Sequence, residues 1–353
     1  MFSNPLFLTP LLSLFAGIFV ILAIRLFDFI EIEPIKVIRA SLIAGAISII
    51  PILSAYKYTD LVWRNIFKLN DSAIDNISTF IDAPIIEESF KLITLFIIYR
   101  IFKKEFDTLT DYIVYASSVA VGFTFVENCF YLWGSIEPES LEGWFNQLTY
   151  RVIDGAGGHI FYSVWLGVVL WLLIETKYKY KIFFAMTAYL TSIMLHLINN
   201  ISTISDFYET KFLPSIIYNA NQELSLALFI FLILFSISLD YSNLYNFLFY
   251  LQNSSSNTNG TAEKKAAFYN KIIYLISPVN ILNFNLLDLI PKRFHTSKMK
   301  KNHIPLRRIA KLSFAFAKCQ RLAPNKESKE ANLSSYTSKG IELIDLISLD
   351  NTN

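Results

Sequence analysis

The sequence predicts an all-α fold: a polytopic bundle of about seven transmembrane helices with a polar C-terminal tail. Of its 353 residues 54% are hydrophobic, 16% aromatic and only 17% charged, where soluble domains carry roughly 25% charged residues. Mean hydropathy is +0.42. Apolar stretches recur at lengths that cross roughly 30 Å of hydrocarbon as helices, and Lys and Arg gather in alternate loops. The net charge of +2 is too mild to argue for nucleic acid, and none is expected as a partner. Cys129 and Cys319 lie in an apolar segment and the polar tail, which supports neither a disulfide framework nor a Cys-rich zinc site.

The first span runs from Pro5 to Ile24. It has no basic residue before Arg25 and is long for the apolar region of a cleavable signal, so it reads as retained. The second covers about Lys36 to Ala55, with Pro51 near its outer end. The third, Ile77 to Ile101, carries Glu87, Glu88 and Lys91. Leu109 to Trp133, Val152 to Ile174, Ile182 to Ile201 and Leu224 to Leu244 complete the seven. Arg100, Lys103 and Lys104 follow span three, Lys177, Lys179 and Lys181 follow span five, and bases crowd the tail, so these sides are expected to be cytoplasmic. Acids mark the opposite side: Glu137, Glu139 and Glu142, then Asp206 and Glu209. The expected protein is a multi-pass plasma-membrane protein with its N-terminus outside and its C-terminus in the cytoplasm. The basic stretch from Lys57 to Lys68 fits this orientation least well.

Composition divides the chain into a membrane domain, residues 1–252, a linker at 253–263 built on Asn253-Ser-Ser-Ser-Asn-Thr-Asn-Gly260, and a tail at 264–353. From Lys292 to Arg321 there are ten Lys or Arg residues and no acid, interleaved with Leu306, Ile309, Leu312, Phe314 and Phe316. Two readings stay open: a helix lying on an anionic membrane surface, which makes lipids a partner, and a solvated, partly disordered tail.

Polar residues within the spans carry the functional signal, because an ionised side chain at the bilayer centre costs about 2.5 to 3.5 kcal/mol on insertion scales. Four places stand out: Glu87 and Glu88 with Lys91, Glu127 with Asn128, His159, and His196 with Asn199 and Asn200. Counted inward at about 1.5 Å per residue, Glu87, Glu127, His159 and His196 all fall towards the outer face. Glu87 and Lys91 share a helix face, as do His196 and Asn200, while Glu88 points about 100° away from Glu87, which implies a separate task. Gly155, Gly157 and Gly158 are expected to let helices approach beside His159. Arg151 and Asp154 read as a local interfacial pair, and Cys129 as an ordinary buried thiol.

Carboxylates and imidazoles around an enclosed space suit hydrolysis of an amide by water, with no nucleophilic side chain required. Neither GxSxG nor HExxH occurs. Zinc is the alternative, with Glu88, Glu127, His159 and His196 as candidate ligands. The rival classes are an ion- or proton-coupled transporter, whose relays also bury Glu and His, and a non-catalytic membrane binding or immunity protein.

Ala83-Pro84-Ile85-Ile86-Glu87-Glu88-Ser89-Phe90-Lys91, Gly122-Phe123-Thr124-Phe125-Val126-Glu127-Asn128, Arg151 with Gly158-His159, and Leu195-His196 to Asn200 together resemble the four motifs of the PrsW family of intramembrane proteases, within the wider group of CAAX prenyl endopeptidases and bacteriocin-immunity proteins. The resemblance covers roughly Asp82 to Asn200. It implies a glutamic-type or metal-dependent endopeptidase that cuts single-span membrane proteins such as anti-sigma factors on the extracytoplasmic side. By the same resemblance Glu87 is the general base, His159 helps to bind the water, His196 and Asn200 serve the oxyanion, and Glu88 and Glu127 support them. No cofactor is required on the glutamic reading.

Overall fold

The computed structural model describes residues 5–27, 33–134, 141–154, 158–203, 212–256, 270, 297–322 and 326–345. Its helices are α1 (Pro5–Phe27), α2 (Ile35–Ile47), α3 (Ile49–Asn65), α4 (Asp71–Ile77), α5 (Ala83–Phe102), α6 (Leu109–Gly134), α7 (Leu141–Leu148), α8 (Gly158–Glu175), α9 (Lys181–Thr203), α10 (Phe212–Ser256), α11 (Ser297–Leu322) and α12 (Lys326–Asp345). Two π-helical turns, Ser78–Asp82 and Thr149–Asp154, lie ahead of α5 and α8. No strand occurs among the described residues.

Local chemistry explains several boundaries. Asn70 accepts the Ala73 N–H at 2.9 Å and caps α4. Pro84 sits in the first turn of α5, directly after the π turn Ser78–Asp82, so the N–H it lacks falls where the helical ladder already changes register. Ahead of α6, Asp111 accepts the backbone N–H groups of Asp107 and Thr108 at 2.5 and 2.7 Å and the Thr108 hydroxyl at 3.0 Å, so its carboxylate satisfies the free donors at the helix start.

Among the described residues, five helical stretches are long and apolar enough to cross a membrane: 35–65, 109–134, 158–175, 181–200 and 219–254. The second expected span proves longer than Lys36 to Ala55, because the chain breaks at Ser48 and restarts. Pro51 then falls in the first turn of α3, and the helix continues to Asn65. Arg64 bonds Asp71 at 2.5 Å and Asp60 at 3.3 Å, which offsets part of the basic charge that fitted the orientation poorly. Of the fifth expected span the structure describes the π turn to Asp154 and, from Gly158, helix α8. Gly155 and Gly157 lie outside the described residues.

Helix α6 is the centre of the bundle, packed by α1, α2 and α8, with α9 against α8. Close approach occurs where α2 crosses α6: a Cβ on Gly45 would land on the Val119 carbonyl, and one on Gly122 on the Leu42 carbonyl. Small residues on both sides let the backbones meet without a hydrophobic driving force.

The tail also differs from expectation. α10 runs through the start of the expected linker to Ser256, and its Leu244, Phe247, Leu248 and Leu251 form a core with Ile309, Phe316 and Ile344 of α11 and α12. Residues 257–263 lie outside the described set. Lys318 of α11 bonds Glu175, the fully buried last residue of α8, at 2.8 Å and the Phe106 carbonyl at 3.3 Å. The described part of the tail is therefore a helical pair docked on the bundle. Lys318→Ala should strip Glu175 of its counter-charge. With Lys318 a quarter exposed, a loss of about 2 kcal/mol is expected, below the roughly 3 to 5 kcal/mol of a fully buried pair. Limited proteolysis should then cut α11 faster; unchanged protection would show that the pair does not hold the tail.

Candidate active site

The site assembles on one turn of α5 and the facing ends of α6, α8 and α9. The wide turn Ser78–Asp82 leads into it, as π-helical turns often do at functional sites. Glu88 is fully buried and held on both oxygens. Lys91 donates to Oε1 at 2.8 Å, and His196 Nδ1 lies 3.1 Å from the same oxygen; Ser163 and Ser192 donate to Oε2 at 2.7 and 3.0 Å. Glu87 is held less. The Tyr56 hydroxyl donates to its Oε1 at 2.7 Å, while Oε2 lies 3.5 Å from Lys91 Nζ and 3.9 Å from His196 Nε2. The two acids thus face different partners, as their angular separation predicted.

His159 connects this cluster to α6. Its Nδ1 is 3.2 Å from Lys91 Nζ and its Nε2 2.9 Å from Glu127 Oε2. Lys91 has only protons to give, so Nδ1 accepts and Nε2–H donates to Glu127; the tautomer is assigned from this network. By the same logic His196 donates Nδ1–H to Glu88 and turns the lone pair of Nε2 towards Glu87. The imidazole rings meet edge to face at 4.9 Å, Tyr162 stacks on His196 at 5.2 Å, and Lys91 lies over the Phe123 ring at 4.1 Å.

Arg151 reaches beyond its own segment. Its guanidinium bonds Glu127 at 2.9 Å and Asn128 at 3.2 Å and covers the Tyr131 ring, so it fixes the carboxylate that orients His159. The Asp154 side chain lies outside the described set. Glu127 points inward, its side chain 14% exposed, and does not snorkel to water. Asn200, one turn beyond His196, donates to the Thr79 carbonyl at 3.0 Å, which ties α9 to the turn before the glutamates. Cys129 is a buried free thiol.

The donors fit a divalent cation such as zinc, although the set differs from the expected one. One ligand atom each from Glu87, Glu88, His159 and His196 lie within 4.8 Å of one another; Glu127 sits behind His159 instead. The lone pairs of His159 Nδ1 and His196 Nε2 converge beside Glu87, and each imidazole gives its other N–H to a carboxylate, the arrangement that orients metal-bound histidines. Lys91 Nζ faces the same atoms, so a metal there would compete with its ammonium.

Sequence reasoning did not single out Tyr56, Ser163 or Ser192. The serines had a signal: Ser163 follows His159 by four residues and Ser192 precedes His196 by four, so each shares its histidine's helix face. Tyr56 had none, since it lies on a separate helix at the edge of an apolar run.

Comparison with known proteins identifies a family. A family model described as PrsW family intramembrane metalloprotease matches residues 33–236. Protease PrsW of Oceanobacillus iheyensis is 30% identical over 170 residues, which span 48% of this chain and 70% of that protein. No solved structure matches the chain.

Proposed function

Because the chain belongs to the PrsW family of intramembrane proteases, we propose that it cleaves single-span, membrane-anchored proteins, of the anti-sigma-factor kind, by water that Glu87 activates. The observation that carries the reading is Glu87 Oε2 set 3.9 Å from His196 Nε2, too long for a direct hydrogen bond and a span that one water can bridge. Glu87 takes a proton from that water as it attacks the scissile carbonyl and passes it to the leaving amine. Glu88, bonded on both oxygens, stays ionised and holds His196 and Lys91. Glu127 with Arg151 holds His159, whose Nδ1 can accept from the water only in place of Lys91. Asn200 is assigned to the oxyanion side; His196, whose Nε2 carries a lone pair, accepts from the water instead and has no N–H left for the oxyanion.

A second reading is favoured by the convergence of four donor atoms: His159, His196 and Glu87 hold a zinc ion, with Glu88 and Glu127 behind the imidazoles. Such an ion, when bound, would polarise the carbonyl and lower the pKa of water. On either reading Glu87 is indispensable. We assign the spans to α1, α2 with α3, α5, α6, α8, α9 and α10, with the N-terminus outside, the site towards the outer leaflet, and lipids but no nucleic acid as surroundings.

The test is purified protein reconstituted with a single-span substrate, with zinc content measured on the same sample. One new fragment is expected, cut on the extracytoplasmic flank. A cut on the cytoplasmic flank would reverse the orientation, full activity at zero zinc would remove the metal reading, and an intact substrate panel would count against the protease reading of this member.

A further inference from the structure

We propose that Tyr56 is a positioning residue of this active site: its hydroxyl caps Oε1 of Glu87 and so dedicates Oε2 to the reacting water. The inference rests on Glu87 as the base. Among the contacts of Glu87 the Tyr56 bond, 2.7 Å, is closest; Lys91 and His196 stand at 3.5 and 3.9 Å. The terminal torsion of a glutamate is broad and roughly two-fold. Without an anchor on one oxygen the carboxylate plane would swing through this broad well, and an oxygen would face His196 in the required geometry only part of the time.

The phenol can act as that anchor because its own position is fixed. Its ring packs in an apolar cluster with Ile49, Ile52, Phe123, Ile86 and Phe90, where a hydroxyl needs an acceptor and finds one in Glu87. Seven residues on, two turns along the same face of α3, Trp63 Nε1 donates to Asp82 Oδ2 at 2.9 Å. Asp82 precedes Glu87 by five residues, so α3 runs antiparallel to the start of α5 and is pinned to it at two heights. The opposite face of α3 is exposed at Tyr58 and Leu61. Its site-facing side therefore carries two aromatic donors, one that only tethers the helix and one that also reaches the reacting carboxylate.

These two anchors separate a tether from a positioning role. In the full-length protein, Tyr56→Phe should lower kcat about 10- to 100-fold, the effect typical of losing a group that orients a reacting ligand, with KM within about twofold. Trp63→Phe removes the other anchor of the same helix without touching Glu87, and should keep kcat within about twofold of wild type. Both variants should unfold within a few degrees of the wild-type midpoint. Unchanged kcat in Tyr56→Phe overturns the inference, and so does an equal loss in both variants, which would make α3 a structural cover. Glu87→Gln run in parallel separates the two levels: activity in that variant removes the base assignment, whereas its silence beside a fully active Tyr56→Phe removes the Tyr56 role alone.

Discussion

Glu87→Gln should abolish cleavage of a co-expressed single-span substrate while leaving the protein level unchanged. General acid–base catalysis contributes about 10²- to 10⁴-fold, so at least that loss is expected, and more if the same oxygen also binds a metal. The stability side follows from the neighbours. Gln keeps the shape of Glu, its carbonyl oxygen still accepts from Tyr56, and Lys91 keeps its shorter bond to Glu88 at 2.8 Å. Two carboxylates and one ammonium become one of each, so no buried charge is stranded. An immunoblot for level and a substrate blot for cleavage decide the matter; undiminished cleavage would sink the base assignment. Glu88→Gln should act differently, because four groups bond that carboxylate, and its loss should first be seen as a lower unfolding midpoint.

What the sequence made legible was charge in the wrong solvent. Glu87, Glu88, Lys91, His159 and His196 stand out because each interrupts an apolar segment, and their burial together follows from the cost of leaving them in lipid. Tyr56 escaped notice because tyrosine is ordinary at the edge of a span, and its partner lies 31 residues on on another helix. Arg151 shows a related limit: spacing alone pointed to Asp154 and gave no sign of Glu127 and Asn128 on α6, to which it bonds. The end of α10 shows the same limit. Phe247, Leu248 and Leu251 fall beyond the expected span, and only their packing against Ile309 and Phe316 shows why the helix continues there. Local pattern gives the element and the oddity of a residue; tertiary contact gives the partner.

Lys91→Met should be the most destabilising substitution in the site. The ammonium is fully buried, bonds Glu88 at 2.8 Å, lies 3.5 Å from Glu87 and 3.2 Å from His159, and covers the Phe123 ring. Met fills much of the same volume, so the effect is electrostatic: two carboxylates remain side by side in a dry site with no cation of their own. Removing one partner of a buried pair costs about 3 to 5 kcal/mol, a large share of the 5 to 15 kcal/mol that typically holds a protein folded. Lys91→Met combined with Glu88→Gln should regain more than half of that loss, because it removes a cation and an anion together, and such neutral replacements are often tolerated. The two substitutions should therefore be strongly non-additive. Cleavage should stay absent in the double variant, since His159 Nδ1 has lost the donor that holds it. Thermal unfolding in detergent of both single variants, the double variant and wild type tests this. A stable Lys91→Met protein, or a double variant no more stable than Lys91→Met, would show that the ammonium does not hold the acidic pair in place.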